Sequence, residues 1–152
     1  PGVKVASADP APGLATFGRT WTLSGFELQP VEVPAGSRMA LRLRWSQVAP
    51  NPHVDQMVAW VHFRDEQGKR WFQGDRPLVR DLALQADSDG QPGPDTEILV
   101  PADVPAGTYH ILVGLMDARN DQRLNVDSMG APVQDRGIRL PAELVITAPA
   151  AP

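Results

Sequence analysis

The chain has 152 residues, which fits one domain and is long enough for one sizeable hydrophobic core. Its net charge is −4, with acids and bases mixed along the chain, which excludes the basic stripe of a nucleic-acid binder and the polybasic patch of a membrane-surface anchor. It has no cysteine, which excludes thiol catalysis, disulfides and cysteine-ligated zinc or iron–sulfur sites.

The start, PGVKVASADPAPG, has no apolar h-region, and no run approaches the ~20 apolar residues that span a bilayer. Residues 1–14 and the tail APAAP at 148–152 are Ala/Pro-rich and without periodicity. They read as spacers of a tethered module or as ordinary chain ends. Along the chain 16 Pro and 13 Gly recur at short intervals, which leaves little room for long helices.

VEVPAG at 31–36 reads as an edge strand and turn. MALRLRW at 39–45 alternates, with Met39, Leu41, Leu43 and Trp45 on one face and Ala40, Arg42 and Arg44 on a wet one. QMVAWVHF at 56–63 is apolar on both faces and predicts a central strand. DEQGK at 65–69 is a turn with Gly68 at a positive φ, and KRWFQGD is the returning hairpin partner. RPLVRDLALQA at 76–86 predicts one short helical turn or a sheet-crossing connection. TEILVP is a strand stopped by Pro101. PAGTYHILVGLMD opens on a Pro/Gly turn at Gly107 and puts Tyr109, Ile111, Val113 and Leu115 on one face. ARNDQ is a turn, QRLNV a return strand and IRLPAELVIT the last strand. The pattern predicts an all-β antiparallel sandwich of about eight strands over residues 15–147.

The order of these segments resembles an immunoglobulin-like β-sandwich found in bacterial cell-envelope and polysaccharide proteins. The likeness rests on FGRTWTLSGFEL, the strand ending in Trp45, and the hairpin with Val61, His62, Phe63, Asp65 and Gly68. It continues through Asp75, the run from Val100 to Asp117 and QRLNV, and covers most of residues 15–147. The stretch from 76 to 96 departs from it, being longer and less apolar. The resemblance implies an accessory, non-catalytic role in an extracytoplasmic (periplasmic or secreted) setting, beside glycosyltransferase or glycoside-hydrolase modules.

Three clusters carry candidate chemistry. Trp60, His62, Trp71 and Gln73 combine flat aromatic surface with polar groups, as sugar binding requires, and Arg64 and Arg44 add contacts to an acidic polysaccharide if their strands are neighbours. Trp60 and His62 should face away from the core. A two- or four-residue loop places Trp71 opposite His62, and a three-residue loop with Gly68 as a bulge places it opposite Phe63. The competing reading makes these tryptophans core residues or covers them with a connection. Asp81, Asp87, Asp89 and Asp95 include a D-x-D-G that resembles the opening of a calcium loop, but no acid falls where a closing ligand belongs, and a solvated turn explains them better. His53, His62 and His110, with Met57, would suit copper if they converged; surface or hydrogen-bonded histidines are the simpler reading.

No G-x-S-x-G, H-E-x-x-H or Gly-rich phosphate loop is present, so no enzyme, metal or cofactor is expected. The expected function is polysaccharide binding by an accessory module. The alternative is a structural sandwich that packs against a catalytic domain or an envelope partner.

Overall fold

Fourteen strand segments, one α-helix and one 3₁₀ turn make up residues 6–7, 13–86 and 97–149, which this computed structural model describes. The first sheet holds β1 (Ala6–Ser7), β2 (Ala15–Phe17), β3 (Trp21–Gln29), β5 (Arg38–Gln47), β9 (Glu97–Leu99) and β12 (Val126–Ser128). Its order is β12-β2-β3-β5-β9, with β1 also on β3. The second holds β4 (Glu32–Pro34), β6 (Met57–Arg64), β7 (Arg70–Gln73), β8 (Arg76–Pro77), β10 (Gly107–Asp117), β11 (Gln122–Arg123), β13 (Val133–Gln134) and β14 (Gly137–Thr147). Its spine runs β13-β14-β10-β6-β7, with β11 on β10, β4 on β14 and β8 on β6. Among the described pairings, only β4 with β14 is parallel. The expected all-β class and two-sheet layering are present. Six segments (β3, β5, β6, β7, β10 and β14) have four residues or more, and the rest are short pairings that a sequence period does not mark.

The core lies between the sheets. Alternation puts Met39, Leu41, Leu43 and Trp45 of β5 into it, facing Ala59, Val61 and Phe63 of β6 and Tyr109, Ile111, Val113 and Leu115 of β10. Phe63 stacks on Phe72 at 4.3 Å between ring centroids, as the register Phe63↔Phe72 requires. The Tyr109 hydroxyl donates back to the carbonyl of Pro105 at 2.6 Å and ties the entry of β10 to the turn before it. The turn after β6 has Gly68 at φ +83°, the left-handed conformation expected there.

Strand β3 shows how a broken period is repaired. Trp21 and Leu23 are buried, and so are Phe26 and Leu28, so the apolar phase changes mid-strand. Pairing passes from Leu23↔Trp45 to Gly25↔Arg44 and leaves Ser24 as an extra residue, a bulge that returns both halves to the core.

Residues 76–86 form β8 and a nine-residue helix, longer than the one short turn expected, on the connection between the sheets. Helix α1 (Leu78–Ala86) lies between β8 of the second sheet and β9 of the first. It is held by a buried ion pair. Arg76 Nη1 donates to Asp81 Oδ1 at 3.3 Å and to the Leu41 carbonyl at 2.8 Å, while Trp45 Nε1 donates to Asp81 Oδ2 at 3.3 Å. Beyond the three paired residues of β9, the side-chain amide of Gln85 takes the place of a strand: Oε1 accepts from the Trp45 N–H and Nε2 donates to the Trp45 carbonyl.

One expectation about β5 is corrected. Arg42 was expected on a wet face, but it is only 3% exposed, and its Nη2 donates to the Leu84 carbonyl at the end of α1. The alternation is right; the connection covers what a free strand would leave in water. No helix among the described residues is long and apolar enough to cross a membrane.

Candidate functional site

Cross-strand register builds the outer face of the second sheet as three rows. The first runs Arg70–Arg64–His110–Glu143, the second Gln73–His62–Leu112–Arg139, and the third places Trp60 beside Gly114. Because side chains alternate, Trp60, His62 and Arg64 point away from Val61 and Phe63, as expected.

Trp60 nevertheless offers no stacking surface, being only 2% exposed. Its indole lies over glycines: a Cβ on Gly114 or on Gly137 would come within 2.4 Å of the ring. From the solvent side, the Arg123 guanidinium covers it at 4.2 Å from the ring centre. His62 leans on the same indole, centroids 4.7 Å apart. The platform expected for a sugar is occupied by the chain's own arginine.

Trp71 does not join this face. The pairs Phe63↔Phe72 and Arg64↔Arg70 leave it as the extra residue of a bulge, packed at the margin of the core. It is thus opposite neither His62 nor Phe63. Its indole N–H donates to Asp65 Oδ2 at 2.9 Å and Lys69 Nζ sits 3.9 Å over its ring. The same Asp65 accepts the backbone N–H groups of Gln67 and Lys69, and these bonds, that of Trp71 foremost, hold its carboxyl below the usual carboxylate range. Gln73 lies opposite His62 and is exposed, with its amide donating to Asp75. Arg44 belongs to β5 of the other sheet and cannot reach this face, which corrects the pairing expected with Arg64.

The centre of the face is His62, only 4% exposed. Arg64 Nη2 lies 3.0 Å from its Nδ1, and Arg70 Nη1 lies 3.4 Å from its Nε2. A guanidinium only donates and a neutral imidazole has a single acceptor nitrogen, so His62 accepts from one of the two arginines and turns its ring N–H toward the other. Burial, reinforced by Arg64, Arg70 and Arg123, pushes the His62 pKa down to about 4, and the ring is neutral at pH 7. Asp135 answers this charge. It pairs with Arg64, which holds its carboxyl below the usual range, and its backbone carbonyl accepts from Arg123 Nη1 at 3.0 Å.

Asp135 and Arg136 form the two-residue loop between β13 and β14, with φ +54° and +62°. Left-handed backbone at both positions turns the strands tightly and sets Asp135 against Arg64. Arg70, Arg123, Arg139 and Asp135 have no counterpart among the sequence candidates. Arg70 was reachable through the hairpin register; Arg123 and Asp135 arrive from later turns and leave no local pattern.

Neither of the other clusters is assembled among the described residues. Asp81 is buried in its pair with Arg76, and burial raises its pKa against that partner's pull. Asp87, Asp89 and Asp95 lie outside the described residues. His110 lies 3.1 Å from Glu143 rather than joining His53 and His62. No group of three or more His, Asp or Glu suited to a metal occurs among the described residues.

No protein-family model matches the chain, and no curated protein does. The case for function therefore rests on the geometry of this face.

Proposed function

We propose that the chain is a non-catalytic accessory module of an extracytoplasmic glycan system, and that it binds polysaccharide on the outer face of the second sheet. The observation that carries this is the chemistry of that face. An open groove is lined by His62, Arg64, Gly68, Arg70, Arg123 and Asp135, so it presents mainly hydrogen-bond donors, on a sheet whose other side is sealed in the core. Polysaccharides offer dense oxygen acceptors to such a surface.

The reading includes an immunoglobulin-like arrangement, which two features support. The three strands β3-β5-β9 oppose β14-β10-β6-β7, and Tyr109 bonds back to Pro105 near the start of β10, in the manner of a tyrosine corner. The burial of Trp60 removes the surface on which a neutral sugar would stack, and the second reading is then a sandwich that docks on a catalytic neighbour.

A glycan array carrying neutral and acidic chains, with hits titrated by tryptophan fluorescence, separates the two. Trp60 beneath Arg123 is the reporter. Retention of a glycan, with a fluorescence change lost in Trp60→Phe, is the expected result. Failure to retain any glycan, neutral or acidic, would sink the polysaccharide reading and leave the docking one.

A further inference from the structure

We infer that the site is a carboxylate-binding one, formed by Arg64, Arg70 and Arg123 around His62, and that its ligand is an acidic polysaccharide; this rests on the glycan reading above. On a chain of net charge −4, this face gathers Arg64, Arg70, Arg123 and Arg139 against Asp135 and Glu143.

The cluster is short of acceptors. His62 has one acceptor nitrogen for two guanidinium neighbours, so its ring N–H faces either Arg64 or Arg70, donor against donor. Arg64 Nε is buried without a hydrogen-bond partner among the described residues. An oxygen anion entering the groove beside His62 and the exposed Arg70 brings an acceptor to a cluster that is short of them.

Asp135 shows what kind of group this surface accepts, since a carboxylate already sits on Arg64. It is held there by a tight loop with Asp135 and Arg136 both at positive φ. A half-exposed acid presented in this way is an internal stand-in that a ligand carboxylate competes with.

Two further observations point to a polymer of sugar rather than a protein. Arg70 on β7 and Arg139 on β14 are separated by β6 and β10, three strand spacings or ~14 Å, so one ligand that meets both is a chain. Within the cluster, the apolar side chains Trp60 and Leu112 are buried, so the face lacks the exposed aromatic and aliphatic anchors on which protein interfaces depend.

The test is calorimetric titration at low salt with polygalacturonate, uncharged dextran and poly-L-glutamate. Wild type, Arg70→Gln and Asp135→Asn are compared. Asparagine tolerates the left-handed backbone, so Asp135→Asn keeps the turn, and Arg70 is exposed, so Arg70→Gln keeps the fold. Polygalacturonate is expected to bind, weakened roughly tenfold in Arg70→Gln and strengthened severalfold in Asp135→Asn, with affinity falling as salt rises. Equal binding of poly-L-glutamate overturns the polysaccharide assignment. Binding of polygalacturonate that neither variant alters overturns the site. Binding of dextran but not polygalacturonate overturns the carboxylate inference while leaving the glycan module standing. Binding of neither glycan removes the inference together with the reading it rests on.

Discussion

Substituting Gly114 by Ala tests the packing of Trp60 directly. The added Cβ would lie 2.4 Å from Cε2 and 2.5 Å from Cζ2 and Nε1 of the indole, where carbon atoms normally rest ~3.5–4.0 Å apart. The strand cannot recede, because β10 is held between β6 and β14 and its inner face is core. The indole must rise by about 1 Å, and Arg123, 4.2 Å above it, must rise with it. Overpacking of this kind costs about 1–3 kcal/mol, and the upper end is expected here. Trp60→Ala alone should cost about 3–5 kcal/mol. With the indole gone the clash disappears, and Gly114→Ala should become neutral or stabilising by up to ~1 kcal/mol, as alanine outperforms glycine in a strand. A double-mutant cycle should therefore give a coupling of about 3–4 kcal/mol. Urea unfolding followed by far-UV circular dichroism reads all four proteins without relying on tryptophan signals. Additivity within ~0.5 kcal/mol would refute the glycine floor as the reason Trp60 lies flat.

Three further outcomes follow from the same geometry. Gly68→Val should lower stability by about 1–3 kcal/mol and Gly68→Asn by much less, because φ is +83° and the added carbon meets no neighbour; thermal melts that place both at wild type would count against a backbone cause. Asp81→Asn should cost about 3–5 kcal/mol by stranding the buried Arg76 charge, whereas Arg76→Met with Asp81→Leu should unfold near wild type in urea. His62 is depressed from 6.5 to about 4, so the unfolded chain takes up this proton first as pH falls. Stability is unaffected by the group above pH 6.5 and declines from there down to about pH 4. Between pH 7.5 and 5 this amounts to about 2 kcal/mol, and His62→Gln should show a slope smaller by that amount; equal slopes would mean His62 is not a desolvated neutral ring among Arg64, Arg70, Arg123 and Asp135.

The long strands were legible where alternation ran unbroken. Strands β5 and β10 keep one phase from end to end, and β6, apolar on both faces, took the central place that pattern predicts. Strand β3 was not readable as an alternating segment, because the bulge at Ser24 inverts its phase and a period-2 search sees two fragments. The outward direction of Trp60 and His62 was legible for the same reason β6 was. Their burial was not: it comes from Arg123, Gly114 and Gly137, which register brings together and sequence separation hides. Trp71 turned on one bulge residue, the kind of detail that turn chemistry alone leaves open. Arg42 looked solvent-facing because a strand pattern contains no information about what crosses over it.

The Gln85 amide that stands in for a strand beside Trp45 has a consequence for how the chain behaves among copies of itself. Where β9 ends, β5 would otherwise present a backbone donor and acceptor in the middle of a sheet, an open template for another chain's strand. A side chain in that place satisfies the edge without offering a further edge beyond it, since an amide plane, unlike a strand, does not propagate. The chain thereby closes one route to strand exchange and fibrous self-association with one residue of a nine-residue helix.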